Sequence, residues 1–117
     1  TSNIPPDRIA AFALVEADAS GAFCGITEKP PADVLAAAGP HALVSMNLWR
    51  FDARIFAACR DVPPSPRGEL ELPAAVLLAV ARGMRLDVVP SLGPVLDLSR
   101  RSDVADVARR LAAGGGA

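Results

Sequence analysis

The stretch PPSPRGELELPAAV, residues 63–76, constrains the chain more than any other. Three prolines in four positions withhold three backbone N–H donors and fix three φ angles, so residues 63–66 fit neither a helix interior nor a central strand. Gly68 then permits a tight turn, and an acidic–apolar alternation leads into an apolar helical run. A stiff turn is therefore built around one cation, Arg67. The whole chain is punctuated in this way. It carries 11 prolines and 9 glycines in 117 residues, so its elements are short and its turns are closely spaced.

At this length the chain is one domain, residues 1–117, and its 51% apolar content supplies a core. The formal net charge of −1 lacks the basic footprint of a nucleic-acid binder. Lys29 is the single lysine in a chain whose other basic side chains are arginines. Cys24 and Cys59 stand far apart with no CxxC, and His41 is the single histidine, too few soft ligands for a zinc site. Both cysteines are expected as buried small hydrophobes, with a Cys–His nucleophile as the alternative. Few cysteines and no signal peptide suggest a cytoplasmic protein, and no apolar run is long enough to cross a bilayer.

Along the chain, residues 1–8 (TSNIPPDR) read as a loop, because Pro5 and Pro6 cannot sit inside a helix. Residues 9–17 (IAAFALVEA) read as a strand buried on both faces, DASG (residues 18–21) as a tight turn, and residues 22–30 as the returning strand of a β-hairpin. Residues 31–39 form a short helix between a proline and a glycine. Residues 41–51 (HALVSMNLWRF) read as a strand whose Trp49 and Phe51 pack in the core. Residues 52–60 form a helix with Asp52 as N-cap, and residues 73–82 a helix closed by Gly83. Two short strands surround Gly93–Pro94, and the last helix carries Val104, Val107, Ala108 and Leu111 on one face. Strands and helices alternate, so the class is α/β. The chain opens mid-loop and carries no phosphate-binding glycine loop, as the second half of a larger unit would.

Four motifs fall in a telling order. Glu28-Lys29-Pro30 ends the hairpin, VSMNLWRFDARIF follows, then SPRGELELPAAV, and finally VLDLSRRSDV. Together they resemble the carboxy-terminal half of the sugar-1-phosphate nucleotidylyltransferases, over residues 12–111. In that family EKP precedes a strand of small-polar-Gly-hydrophobic-aromatic type. A Ser-x-Arg-Gly-Glu-hydrophobic-Glu segment and a Trp-hydrophobic-Asp-hydrophobic-Gly-Thr-x-x-Asp segment come later. The resemblance implies half of a Rossmann-like mixed sheet with flanking helices. The amino-terminal, nucleotide-binding half with its glycine-rich loop would be missing from these residues.

The chemistry so implied joins a sugar 1-phosphate to a nucleoside triphosphate and releases pyrophosphate. Two anions must meet, so catalysis is chiefly positioning and charge neutralisation. The resemblance assigns Lys29 and Arg67 to the phosphates, Glu28 and Asn47 to the sugar, and Asp97 to Mg²⁺. Arg67 on its stiff turn would be a preorganised guanidinium. Each residue has a plainer role as well. Lys29 suits an exposed turn, Glu28 a solvated strand end, Arg67 pairing with Asp61 or Glu69, and Asp97 a helix cap. Asn47 and Ser99 stand where the family has glycine, and Val95 where tryptophan is common. These departures leave room for a non-catalytic module that binds a sugar phosphate or mediates oligomerisation. A homo-oligomer is expected from the uncovered sheet edge of a half-domain.

Overall fold

The computed structural model describes residues 4, 6–91, 93, 96 and 98–114. Asp97 and Val95 lie outside the described residues, as do most positions of the Gly93–Pro94 turn. The elements in order are α1 (Pro6–Ile9), β1 (Leu14–Ala17), β2 (Phe23–Thr27), α2 (Ala32–Ala38), β3 (Leu43–Val44), α3 (Ile55–Asp61), α4 (Leu72–Ala81) and α5 (Asp103–Gly114). The molecule is a small α/β structure. Its strands form one sheet in the order β2-β1-β3, and both pairings are antiparallel.

The β1–β2 hairpin follows from DASG. Asp18 N–H donates to the Ala22 carbonyl at 2.8 Å, and Gly21 N–H donates to the Asp18 carbonyl at 2.9 Å. This is the bond pattern of a three-residue hairpin loop, with Gly21 at φ 81° in the left-handed position it requires. The Asp18 carboxylate accepts from Ser20 N, Ser20 Oγ and Ala22 N at 2.8, 2.7 and 3.0 Å. Beyond the turn the sheet gains one more contact. Ala22 bridges Asp87, with Phe23 N–H on the Leu86 carbonyl and Val88 N–H on the Gly21 carbonyl.

One face of the sheet packs on α3 and α4. The core joins Phe23, Ile55, Ala58, Val76, Ala79 and Met84, with Val15 and Ile26 of the sheet against it. Trp49 meets Phe23 edge-on at 6.0 Å and stacks on Phe51 at 5.7 Å, so both aromatics join this core as expected. The end of α4 is a Schellman motif. Gly83 N–H bonds the Val80 carbonyl, Met84 N–H bonds the Ala79 carbonyl, and Gly83 takes φ 92°. Met84 is thereby turned into the core. Arg82 pairs with Asp61 at 2.7 Å, linking the ends of α3 and α4.

Several expectations need correction. Residues 6–9 are helical rather than loop and strand, because Pro6 takes the first helical position, where no N–H is required. The strand expected over residues 9–17 is confined to β1, and it is not buried on both faces, since Glu16 and Ala17 are exposed. The strand expected over residues 41–51 shrinks to Leu43 and Val44, the two residues that have a partner in β1. Asp52 does not occupy the N-cap of α3. Its carboxylate accepts from Arg54 N–H at 2.9 Å one step before the helix. Cys24 is exposed, because it alternates with the inward Phe23.

Candidate functional site

The register across the sheet decides what gathers at its end. Leu14 of β1 faces Thr27 of β2 on one side and Val44 of β3 on the other. Both outer strands run antiparallel to β1, so they run parallel to each other and leave the sheet at the same end. Thr27 and Val44 are two interstrand steps apart, about 10 Å. Glu28 and Lys29 follow Thr27 directly, and Ser45 to Asn47 follow Val44. The EKP motif and the Ser-Met-Asn segment thus emerge side by side at the carboxyl ends of their strands, where open α/β sheets place ligands.

Lys29 (φ 45°) and Asn47 (φ 52°) are the two non-glycine residues with positive φ among the described residues. That conformation costs an L-residue about 1–2 kcal/mol, less for asparagine. Both residues are exposed. Lys29 makes no ion pair among the described residues. Asn47 is held from below. Its N–H donates to Ser45 Oγ at 3.2 Å, and buried Ser45 is itself anchored through its N–H to the Ala13 carbonyl at 2.8 Å.

Arg67 sits on a turn with the same bond pattern as DASG. Ser65 N–H donates to the Glu69 carbonyl, Gly68 N–H to the Ser65 carbonyl, each at 2.8 Å, and Gly68 has φ 77°. Pro66 precedes Arg67 with its φ already set. The guanidinium is exposed and meets Glu71 at 2.7 Å and Glu69 at 3.4 Å. Asp61, its other expected partner, is engaged by Arg82 instead. Glu71 was not singled out from the sequence, although its i, i+4 spacing from Arg67 was the available signal. The bond from Arg67 holds the Glu71 carboxyl below its ordinary range. The same bond raises the pKa of Arg67, and Glu69 and, more weakly, Glu28 add to it. Among the described residues no hydrogen bond or ion pair joins Arg67 to Lys29 or Asn47.

Beside Asn47 the sheet opens into a cleft of about 720 Å³, lined among others by Val15, Phe23, Trp49, Arg50, Asp87 and Val88. No hydrogen bond joins His41 to either cysteine among the described residues. Among those residues no three His, Cys, Asp or Glu side chains cluster as a metal site, and no helix is long and apolar enough to cross a membrane.

No family model matches the chain. One curated protein, the UTP–glucose-1-phosphate uridylyltransferase AglF of Haloferax volcanii, is 29% identical over 105 residues. The chain is similar to a nucleotidyltransferase. The match covers 90% of this chain and 41% of the relative, so these residues span well under half of that protein's length.

Proposed function

We propose that residues 1–117 form the sugar-phosphate-binding, carboxy-terminal half of a Rossmann-like nucleotidyltransferase domain. The complete protein would join a sugar 1-phosphate to a nucleoside triphosphate. A phosphate oxygen of the sugar attacks the α-phosphorus, the bond to the β-phosphate oxygen breaks, and pyrophosphate leaves with the electron pair. The observation that carries this reading is the shared exit of Glu28–Lys29 and Asn47 from one sheet end, together with the uridylyltransferase relative.

In this reading Lys29 neutralises the sugar phosphate, Glu28 accepts from sugar hydroxyls, and the Asn47 amide donates to one of them. Arg67 would first exchange Glu71 and Glu69 for a phosphate. Asp97 would give magnesium one carboxylate, with phosphate oxygens completing the shell. One carboxylate does not make a metal centre within this chain. The engagement of Arg67 by two carboxylates favours one alternative, a non-catalytic module that binds the sugar phosphate through Lys29 alone.

The test is titration of the chain with glucose 1-phosphate, followed by amide chemical shifts. Shifts confined to residues 27–30 and 45–48, abolished by Lys29→Ala, are expected. The chain alone is expected to show no turnover with UTP, since no triphosphate cradle exists among its described residues. Binding elsewhere, or none, would remove the reading.

A further inference from the structure

The side chain of Asn47 ends in an amide with two unlike atoms, a carbonyl oxygen that accepts hydrogen bonds and an NH₂ group that donates them. Ser45 decides which of the two is turned outward. Directly after β3, Ser45 N–H still bonds the sheet through the Ala13 carbonyl at 2.8 Å, and the residue is 9% exposed. Its hydroxyl therefore has a fixed place beneath Asn47. Ser45 Oγ accepts from Asn47 N–H at 3.2 Å, the i, i+2 bond of a serine turn.

The same hydroxyl has a single proton to give. Among the described residues the acceptor within its reach is Asn47 Oδ1, at 3.5 Å. With the amide turned over, that proton would face the NH₂ group and a buried donor would go unmet, which folded proteins avoid. The network therefore fixes the amide, with Oδ1 toward Ser45 and Nδ2 away from it. Asn47 itself is exposed, at the sheet end where Glu28 and Lys29 also emerge. That end thus offers two donors, Lys29 Nζ and Asn47 Nδ2, and one acceptor, the Glu28 carboxylate.

We propose that Ser45 is a positioning residue that makes Asn47 a donor only, so that the ligand atom meeting Asn47 is one that accepts a hydrogen bond. The substrate class narrows accordingly. A hydroxyl, an ether oxygen or an amide carbonyl fits at that position of the sugar. A protonated amine does not, because an ammonium has no lone pair to offer. Glu28 makes the opposite demand, since a carboxylate needs a ligand hydroxyl that donates. This inference rests on the sugar-phosphate reading above and deepens it.

The experiment titrates the whole chain with glucose 1-phosphate and with its deoxy and deoxyfluoro analogues at each hydroxyl, followed by NMR. Fluorine keeps lone pairs but has no proton. Where a hydroxyl donates to Glu28, both replacements should weaken binding alike. At one other position the deoxy analogue should bind about fivefold less tightly than glucose 1-phosphate, the scale of one neutral hydrogen bond, with the fluoro analogue between them. Asn47→Ala should erase that fluoro–deoxy difference. Ser45→Ala frees the amide to turn over, so the difference should fall below about twofold, and Ser45→Thr, which keeps the hydroxyl, should restore it. Ser45→Cys, a weak donor of similar shape, is the second variant should Ser45→Ala fail to fold. Without ligand, the three-bond coupling that reports φ of Asn47 should leave its left-handed value in Ser45→Ala and keep it in Ser45→Thr. A fluoro–deoxy difference that persists in Ser45→Ala, an unchanged Asn47 coupling there, or no position at which fluorine helps would overturn the proposal and leave the sugar-phosphate reading standing. Failure of the wild type to bind glucose 1-phosphate would remove that reading and this inference with it.

Discussion

The two ends of the sheet bend the chain back by opposite means. At one end, DASG places a glycine, Gly21, in the left-handed conformation and lets Asp18 close three hydrogen bonds onto the turn. At the other end, the same conformation is taken by Lys29 and Asn47, where glycine would be cheaper. The closed end spends nothing on its geometry and keeps its polar groups to itself. The open end accepts strain and leaves its side chains exposed. Strain of this kind persists where a side chain is needed for something other than folding. The contrast supports the proposal that ligand binds at the Lys29/Asn47 end, and it can be broken by substitution.

The largest effect should come from the lone ammonium. If the complete protein is the transferase proposed above, Lys29→Ala in it should lower kcat/KM for the sugar phosphate by about 100-fold or more, the scale for one electrostatic donor. Alanine keeps the backbone strain, so the melting temperature should barely move. An unchanged kcat/KM would reduce Lys29 to a turn residue and dissolve the comparison.

At the closed end, Gly21→Ala should destabilise the fold by up to about 1.5 kcal/mol, the left-handed penalty of about 1–2 kcal/mol less about 0.4–1 kcal/mol from the stiffer unfolded chain, measured by denaturant unfolding. Its Cβ would meet nothing within 4 Å, so the cost would be conformational alone. Gly25 offers a contrast, because a Cβ there would come 2.7 Å from Glu16 Oε2. A neutral Gly21→Ala would mean that the left-handed position carries little strain, and the argument from Lys29 would weaken with it.

A smaller effect concerns acid. Asp18 is held below its ordinary carboxylate pKa first by the Ser20 hydroxyl, then by the N–H groups of Ala22 and Ser20. A depressed folded-state pKa contributes stability above the unfolded value of about 4 and loses it as pH falls through the lower folded value. Asp18→Asn should flatten the acid limb of the stability–pH profile slightly, while Lys29 variants leave it unchanged. An identical acid limb in Asp18→Asn would show that the turn is held by backbone bonds alone.

The sequence was legible where the chemistry is local. DASG, SPRG, the α2 end at Gly39 and the α4 end at Gly83 are each dictated by a few adjacent residues, and the structure forms a turn or helix end at every one. It was illegible where an element needs a distant partner. HALVSMNLWRF has strand chemistry throughout, but a strand exists only beside another, and β1 reaches Leu43 and Val44 alone. For the candidate site the sequence offered residue types alone. Its geometry was not legible, since nothing in a lysine or an asparagine announces a positive φ. Which of Glu69, Asp61 and Glu71 would engage Arg67 depended on how the turn meets α4.

The smallest effect is the most diagnostic for the open end. Glycine at position 29 removes the left-handed penalty of about 1–2 kcal/mol but adds unfolded-state entropy worth about 0.4–1 kcal/mol. Lys29→Gly should therefore be neutral to stabilising, by up to about 1.5 kcal/mol. For Asn47→Gly the balance is finer, because asparagine tolerates the conformation and its N–H bond to Ser45 survives the change. A shift within about 0.5 kcal/mol of zero is expected, with weakened glucose 1-phosphate binding. Both are read from denaturant midpoints at constant m-value. If either glycine variant instead lost well over 1 kcal/mol, the side chain at that position would be holding the fold together. The open end would then be as self-serving as the closed one.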